Sequence, residues 1–292
     1  MELDMISYID GYPKALHQWI VGHLNPSIDP YERQSLSYLI IRYFFGINNT
    51  GVIVNDQRKF SKAELEEVES VVVRLNKHEP IQYILGEADF YGRKFMVNPA
   101  VLIPRPETEL LVDKIIKENL QQGLNVVDIG TGSGCIAISL KLALPEATIT
   151  GVDVDEKALQ CAKENAIKHR AEISWQQLDI LGSQHLPSFL DIVVSNPPYV
   201  RESEKAMMQK NVLDFEPHLA LFVNDEQPLI YYQAIAEKGY RSLKNRGRIY
   251  LEINEALAEE VVSTLERAGY ENIEVVKDLQ QKDRIVKGTK RG

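Results

Sequence analysis

The first part of the chain carries apolar residues at helical spacing. Within Tyr31–Phe45 they recur three and four positions apart, and Gly46 follows as a stop signal. Ser61 and Glu64 are spaced as a capping box at the start of a second amphipathic run, which extends to Leu75. The pattern therefore predicts a small all-helical domain over residues 1–77.

The next segment, residues 78–105, has a different character. Aromatic and β-branched residues surround Gly92, which predicts a β-hairpin linking two domains. Pro104 and Pro106 then stiffen the chain, and apolar residues after Glu109 predict a helix.

Beyond Asn125, short apolar strands alternate with helical patterns. Strands are predicted over residues 126–129, 148–152, 173–176, 192–195, 248–253, 273–277 and 284–288. The helices between them begin near Gly134, Glu156, Leu229 and Ala256. This alternation predicts an α/β domain over residues 106–292, with seven mostly parallel strands covered on both faces. The last two strands have no helix between them, so we expect them to be antiparallel.

A glycine-rich turn joins the first strand of this sheet to its helix, and it reads Asp128-Ile129-Gly130-Thr131-Gly132-Ser133-Gly134. Ligands of such sheets bind at the carboxyl ends of the strands, where glycines let them approach the backbone closely. Cys135 stands where a dinucleotide-binding fingerprint needs its third glycine, and no Walker lysine follows. The turn from Asp128 to Gly134 is therefore predicted to contact another kind of ligand, although a plain strand–helix turn has the same signature.

Acidic residues end the next two strands. Asp153 can accept hydrogen bonds from both hydroxyls of a ribose, and Asp179 can accept from an adenine amino group, with Ile180 beside the ring. A strand-end aspartate can instead cap the following helix, and Asp155 fits that role better than Asp153. The glycine-rich turn and the two acidic strand ends, following one another along the chain, favour a ligand that contains adenosine.

The fourth strand ends in the tetrad Asn196-Pro197-Pro198-Tyr199. Two successive prolines cannot continue a central β-ladder, so the backbone must leave the sheet here. The side-chain carbonyl of Asn196 and the backbone carbonyl of Pro197 can then accept both hydrogens of a planar –NH₂ group, while Tyr199 lies against its flat face. The alternative is a proline-rich turn that only ends a buried strand.

Charge and cysteine content narrow the choice of partners. The formal net charge of -9 argues against nucleic acid as the main partner. The two cysteines, Cys135 and Cys161, form no metal-binding motif, so we expect no metal, and they suit a reducing compartment. The acidic N-terminus lacks the features of a signal peptide, and the apolar runs are too short to cross a bilayer. We therefore expect a cytoplasmic protein that does not bind membranes.

The glycine turn and the tetrad together resemble the class I S-adenosylmethionine-dependent methyltransferases with an Asn/Asp-Pro-Pro-Tyr motif, a group that includes DNA and RNA amino methyltransferases. From about residue 78 to the C-terminus the chain is similar to a narrower group, the peptide chain release factor N5-glutamine methyltransferase family. The similarity is carried by residues 80–86, 90–92, 102–109 and 215–217.

This resemblance implies a Rossmann-like domain behind a short helical one, and S-adenosyl-L-methionine as the cofactor. It implies that the cofactor contacts the turn from Gly130 to Gly134, together with Asp153, Ile180 and Asn196. It also implies that the substrate contacts the tetrad, with Asn196, Pro197 and Tyr199 as the catalytic residues. The substrate would be the glutamine of the Gly-Gly-Gln motif in class 1 release factors. Some relatives have an aromatic residue in place of Ile180, which can cover an adenine ring but not stack on it.

The chemistry of the tetrad fits this substrate, because an amide nitrogen is a weak nucleophile. Two acceptors on its N–H bonds would fix its orientation and favour the positive charge that builds on nitrogen during methylation. No general base is needed before attack, since the nitrogen becomes acidic once it is alkylated.

The residues themselves leave other functions open. A nucleic-acid amino methyltransferase would use the same tetrad on adenine, cytosine or guanine, although the net charge and the lack of a long target-recognition segment argue against it. A non-enzymatic cofactor-binding scaffold would have no need of the tetrad. Arg105, Glu107 and Glu216 fit the family pattern either as site residues or as a salt bridge between domains.

Overall fold

The computed structural model describes residues 12–292, which divide into two compact units between Leu85 and Gly86. Part of the predicted helical domain falls on residues 1–11 and lies outside the described residues. The proposed bounds of 1–77, 78–105 and 106–292 stay a prediction. The observed division assigns the hairpin to the second unit and the short helix before it to the first.

The first unit is helical, as predicted. Its described helices are α1 (Pro13–His23), α2 (Pro30–Phe45), α3 (Asn49–Ile53), α4 (Lys62–Leu75) and α5 (Ile81–Leu85). Gly46 ends α2 at a φ of 68°, which is the left-handed conformation typical of a helix stop. The apolar stripes of α2 and α4 meet in one core, which includes Ile40, Val68 and Val72.

The predicted capping box at the start of α4 is confirmed. The Ser61 N–H donates to Glu64 Oε2 over 2.8 Å, and the Glu64 N–H donates to Ser61 Oγ over 3.3 Å. These reciprocal bonds satisfy two backbone donors that the first turn of a helix otherwise leaves free.

The second unit opens with the predicted hairpin. Strands β1 (Glu87–Phe90) and β2 (Arg93–Met96) pair in antiparallel fashion. Tyr91 and Gly92 connect them at φ values of 47° and 72°, as a type I′ hairpin turn requires.

The main body of this unit is a seven-stranded sheet with helices. In chain order its elements are α6 (Pro106–Glu118), β3 (Asn125–Ile129), α7 (Cys135–Ala143), β4 (Thr148–Asp153), α8 (Glu156–His169), β5 (Ser174–Gln177), β6 (Leu190–Ser195), β7 (Val200–Arg201), α9 (Lys210–Phe215), β8 (Phe222–Val223), α10 (Ile230–Ser242), β9 (Leu243–Glu252), α11 (Ala258–Ala268), β10 (Tyr270–Lys277) and β11 (Asp283–Lys290). Short 3₁₀ helices cover Glu202–Met207, His218–Ala220 and Glu255–Leu257.

The strand order is β10-β11-β9-β6-β3-β4-β5, and only β11 runs antiparallel to its neighbours, so the predicted sheet is confirmed. The chain passes from β3 to β4 and β5 on one side, then returns to β6 on the other side of β3. Ile129 at the end of β3 pairs with Ser195 at the end of β6. The glycine turn and the tetrad therefore leave neighbouring strands at the same level, at the point where the sheet topology reverses and ligands bind.

Two parts of this unit differ from the prediction. Strand β9 begins at Leu243 rather than at residue 248. Residues 244–247 have no apolar side chain to indicate a strand, and the register beside β6 is irregular there. The segment from Val200 to Val223 holds β7, α9 and β8, which no pattern predicted. Its strands have two residues each, which is too short for an alternating pattern of apolar and polar residues to be recognised.

Candidate active site

Three glycines shape the turn after β3. Gly130, Gly132 and Gly134 have φ values of 69°, 54° and 78°, a region that residues with a side chain rarely adopt. The N–H groups of Gly130 and Thr131 both donate to the carbonyl of Val152, over 2.9 and 3.0 Å. The turn is thus fixed against β4, and it passes directly into α7.

Asp153 lies where β4 ends and faces this turn. Its carboxylate accepts from the Gly132 N–H over 2.9 Å and from the Asp155 N–H over 3.0 Å. Burial raises the pKa of Asp153. Asp155 caps α8 by accepting from the Lys157 N–H over 2.8 Å, which confirms the role that the sequence favoured for it.

These residues line a cavity of about 300 Å³ at the carboxyl edge of the sheet. Of the predicted site residues, its wall includes Gly130, Gly132, Asp153, Asp179, Ile180, Asn196, Pro197 and Pro198. The rest of the wall is mainly apolar and comes from α8, from α10 and from two loops, with contributions from Ala158, Ile235, Leu102, Pro217 and Leu219. The structure thus brings together the glycine turn, both strand-end aspartates and the tetrad.

Other predicted cofactor residues lie behind the wall. Thr131, Ser133 and Gly134 are buried: the Thr131 hydroxyl donates to Asp128 over 2.6 Å, and a β-carbon on Gly134 would come within 3.1 Å of Ala162 and of Trp175. Their direct contact with a cofactor stays a prediction. Their buried positions show that these three residues support the turn.

Asp128 is fully buried and is also absent from the wall. Its Oδ2 accepts from the Thr131 hydroxyl and, over 3.3 Å, from the Ala137 N–H near the start of α7, whereas its Oδ1 has no hydrogen-bond partner. Burial raises the pKa of Asp128 to about 7. Asp128 therefore ties the turn to α7 from inside the protein, and its direct contact with a cofactor stays a prediction.

The tetrad is held by two buried residues that the sequence analysis did not assign to the site. Asn196 Nδ2 donates to Thr108 Oγ1 over 3.2 Å, and the Thr108 hydroxyl donates to Glu252 Oε2 over 2.7 Å. The Tyr199 hydroxyl donates to the other oxygen of the same carboxylate, Glu252 Oε1, over 3.0 Å. Thr108 and Glu252 are 2% and 1% exposed, so neither carboxylate oxygen depends on water for its partner.

Burial shifts the pKa of both titratable groups in this chain of hydrogen bonds. Burial raises the pKa of Glu252, and burial together with the neighbouring Glu252 charge raises the pKa of Tyr199, so Tyr199 stays protonated. Tyr199 is not part of the cavity wall. A sequence signal for Glu252 did exist, since it is an acidic residue inside the apolar end of a strand, Ile249-Tyr250-Leu251-Glu252-Ile253.

Arg105 and Glu216 form an ion pair within the second unit. Arg105 donates to Glu216 Oε1 over 2.6 Å, while the Ile103 N–H donates to Glu216 Oε2 over 3.1 Å. Of the two alternatives for these residues, the structure shows the salt bridge between Arg105 and Glu216, and both residues belong to the same compact unit. The bond joins the segment before α6 to the loop that carries Pro217 and Leu219 into the cavity wall. Glu107 is exposed.

The described residues contain neither a membrane-spanning helix nor a cluster of metal-ligating side chains. No helix within residues 12–292 is both long and apolar enough to cross a membrane. Over the same range, no group of three or more His, Cys, Asp or Glu side chains could hold a metal ion.

Similarity to known proteins identifies first the general class of enzyme. The family model described as "Methyltransferase small domain" matches residues 106–219. A crystal structure of a methyltransferase from Pyrococcus furiosus aligns with a TM-score of 0.53 at 16% identity, over 75% of this chain and 98% of that one. A 16S rRNA N2 methyltransferase from T. thermophilus, in complex with AdoMet and guanosine, aligns with a TM-score of 0.52 at 18% identity, over 70% of this chain and 50% of that one. At such identities the likeness shows the fold alone. The fold and the family model define an S-adenosylmethionine-dependent methyltransferase of class I.

The narrower family follows from sequence relatives. The family model described as "PrmC N-terminal domain" matches residues 16–86. The release factor glutamine methyltransferase of Flavobacterium psychrophilum is 44% identical, over 89% of this chain and 92% of its own length. That of Bacteroides thetaiotaomicron is 45% identical, over 88% and 92%. The chain belongs to the release factor glutamine methyltransferase family.

Proposed function

We propose that this enzyme methylates the side-chain amide nitrogen (N5) of a glutamine in a release factor, and that the tetrad holds that nitrogen. One observation carries the assignment to the tetrad. Among the described residues, Asn196 Oδ1 and the Pro197 carbonyl oxygen have no hydrogen-bond partner, and both residues belong to the wall of the cavity that Gly130 and Asp153 line. Two free acceptors side by side match the two hydrogens of a primary amide.

The same cavity fits S-adenosyl-L-methionine. The side chains of Leu178 and Ile180 offer an apolar surface for adenine, and the Asp153 carboxylate retains lone pairs for ribose hydroxyls. Asp179 lies beside Ile180 and is exposed, so its carboxylate is open to an amino group. Bound there, the cofactor supplies an electrophilic methyl group on a positively charged sulfur.

The chain's own residues then act on the glutamine. Asn196 and Pro197 accept its two N–H bonds, which orients the nitrogen lone pair and stabilises positive charge as it develops. Tyr199 stays protonated and acts through packing. In the balanced reaction the nitrogen gains the methyl group, sulfur keeps the electron pair of the broken C–S bond, and a proton leaves the nitrogen for water.

The particular glutamine and the cellular compartment are part of the same proposal. The acceptor would be the glutamine of the Gly-Gly-Gln motif in class 1 release factors, and the enzyme would work in the cytoplasm, where translation ends. The net charge of -9 supports a protein substrate over nucleic acid.

Transfer of a labelled methyl group from S-adenosylmethionine tests the proposal. The acceptors, run side by side, are a class 1 release factor, its Gln→Asn variant in the Gly-Gly-Gln motif, duplex DNA and structured RNA. We expect label on the release factor alone and none on its variant. Label on nucleic acid alone would move the enzyme to the nucleobase methyltransferases.

A further inference from the structure

The hydrogen bonds behind the tetrad have a direction. The Thr108 and Tyr199 hydroxyls donate to the two oxygens of Glu252, and these bonds stabilise its ionised form against the effect of burial. A carboxylate only accepts, so the single proton of the Thr108 hydroxyl goes to Glu252. The Thr108 oxygen is then left as an acceptor for Asn196 Nδ2. Because Nδ2 is held there, the carbonyl oxygen of Asn196 is the end of the amide that remains for the cavity.

The burial of Thr108 and Glu252 disfavours the opposite orientation of the Asn196 amide. Thr108 and Glu252 are both almost fully buried, and Tyr199 donates to the second oxygen of Glu252, so the carboxylate has hydrogen-bond donors on both sides. Turning the Asn196 amide over would bring its carbonyl against the Thr108 oxygen, which has no proton left to give. The buried Thr108 oxygen would then face a second acceptor in place of its donor, which costs free energy comparable to a lost hydrogen bond.

We propose that Glu252 and Thr108 are positioning residues that keep the Asn196 carbonyl turned toward the substrate, and that this orientation makes the site select an –NH₂ donor over a carboxylate. The inference rests on the proposed function. With both Asn196 Oδ1 and the Pro197 carbonyl as acceptors, a glutamate in place of the glutamine meets two unpaired oxygens and no donor. Loss of the Thr108 hydroxyl or of the Glu252 charge would let the amide turn over and present its –NH₂ group instead.

Thr108→Val and Thr108→Ser form a matched pair. Valine has nearly the same shape but no hydroxyl, whereas serine keeps the hydroxyl and loses a methyl group. We expect Thr108→Val to lower kcat about 10- to 100-fold, with the Kd for S-adenosylmethionine close to that of the wild type. Thr108→Ser should retain most of the activity. Glu252→Gln should behave like Thr108→Val, because glutamine can donate to Thr108 and reverse the direction of the bonds.

The selectivity of the site for glutamine over glutamate distinguishes a positioning role from a merely structural one, because a structural role would leave it unchanged. A release factor with Gln→Glu in its Gly-Gly-Gln motif serves as a competitive inhibitor of wild-type transfer. We expect its Ki to fall at least about fivefold for Thr108→Val relative to wild type, because a turned amide can donate to a carboxylate, and to stay unchanged for Thr108→Ser. An unchanged Ki in Thr108→Val, or equal losses of kcat in the serine and valine variants, would overturn the proposal.

The orientation of the Asn196 amide can also be measured in the absence of catalysis. In protein with ¹⁵N-labelled asparagine side chains, the Asn196 –NH₂ protons should exchange slowly with solvent in the wild type and in Thr108→Ser, and markedly faster in Thr108→Val. Equal exchange in all three proteins would refute the positioning role. If the wild type does not methylate a release factor at all, the proposed substrate is wrong, whereas the exchange measurement still tests the orientation of Asn196.

Discussion

Single residues at this site are defined as much by the hydrogen bonds behind them as by the groups they expose. Asn196 is useful because one end of its amide is already bonded to Thr108. Asp153 is positioned because Gly132 and Asp155 each donate to it. Such prior bonds reduce the reorganisation that the site needs when charge develops on a substrate.

Removal of the Asn196 side chain tests the part it plays in transfer. We expect Asn196→Ala to lower kcat on the order of 10²–10³-fold, because an acceptor for the reacting amide is lost, while cofactor affinity falls only modestly. Single-turnover transfer and cofactor titration measure the two effects. Asn224→Ala, at an exposed loop residue, is the control and should be active. Near-normal transfer by Asn196→Ala would disprove the mechanism.

The buried carboxyl group of Asp128 should make stability depend on pH. Its pKa is about 7 in the folded protein against 3.8 as the ordinary value, so the folded state binds more protons between these limits. Stability from this group is present below pH 3.8 and is lost as pH rises through 7. Asp128→Asn keeps an acceptor for Thr131 but does not titrate. Denaturant unfolding at pH 5 and pH 8 should show a fall in stability that is smaller in the variant by on the order of 2–3 kcal/mol. Equal falls would contradict burial of a titrating group.

At the scale of elements, the ends of the β-strands form only part of the cavity wall, and two further chain segments complete it. The loop after α9 brings Pro217 and Leu219 to the wall, and the segment before α6 brings Leu102. Glu216 connects the two by accepting from both Ile103 and Arg105. The buried carboxylate therefore holds two loops that are far apart in sequence.

Breaking this connection should loosen one side of the cavity. Arg105→Met leaves Glu216 buried with one N–H donor, and we expect a loss of roughly 1–3 kcal/mol of stability with weaker cofactor binding. Thermal unfolding and cofactor titration measure both. Arg105→Met with Glu216→Gln should recover part of the stability, because no unpaired charge remains. Lys117→Met, in an exposed pair with Asp113, is the control and should change stability by less than about 0.5 kcal/mol. If Arg105→Met matches that control, Glu216 does not depend on its partner.

At the scale of the whole molecule, the tetrad and the described wall of the cavity belong to the second unit. Every described residue of the cavity wall lies between Ala100 and Ile235. Residues 12–85 of the first unit have their own apolar core, and none of them is part of that wall. A single glutamine offers little area for recognising a protein, so we infer that the first unit binds another part of the substrate.

A truncated chain of residues 86–292 tests this division of labour. We expect its Kd for S-adenosylmethionine to be close to that of the full chain, and its KM for the release factor to be about tenfold higher or more. Circular dichroism should first verify that the truncated chain is folded. An unchanged KM in a folded truncation would show that the first unit has no part in substrate binding.

Sequence patterns determined most of the architecture, because local rules specify it. The strand–helix alternation predicted the seven strands, Gly92 predicted the hairpin turn, and Ser61 with Glu64 predicted the capping box. The glycine spacing and the tetrad were recognisable because backbone conformation there depends on glycine and proline themselves. These features need only neighbours in the chain.

Tertiary structure alone decided which of the recognised residues face the cavity and what supports them. Asp128 lies in the glycine motif but points into the interior, and the motif cannot indicate which way a strand-end side chain turns. Thr108, Glu252 and Asn196 meet across 88 and 144 positions of sequence. Hydrogen bonds over such separations depend on how sheet and helices pack, so no local pattern contains them.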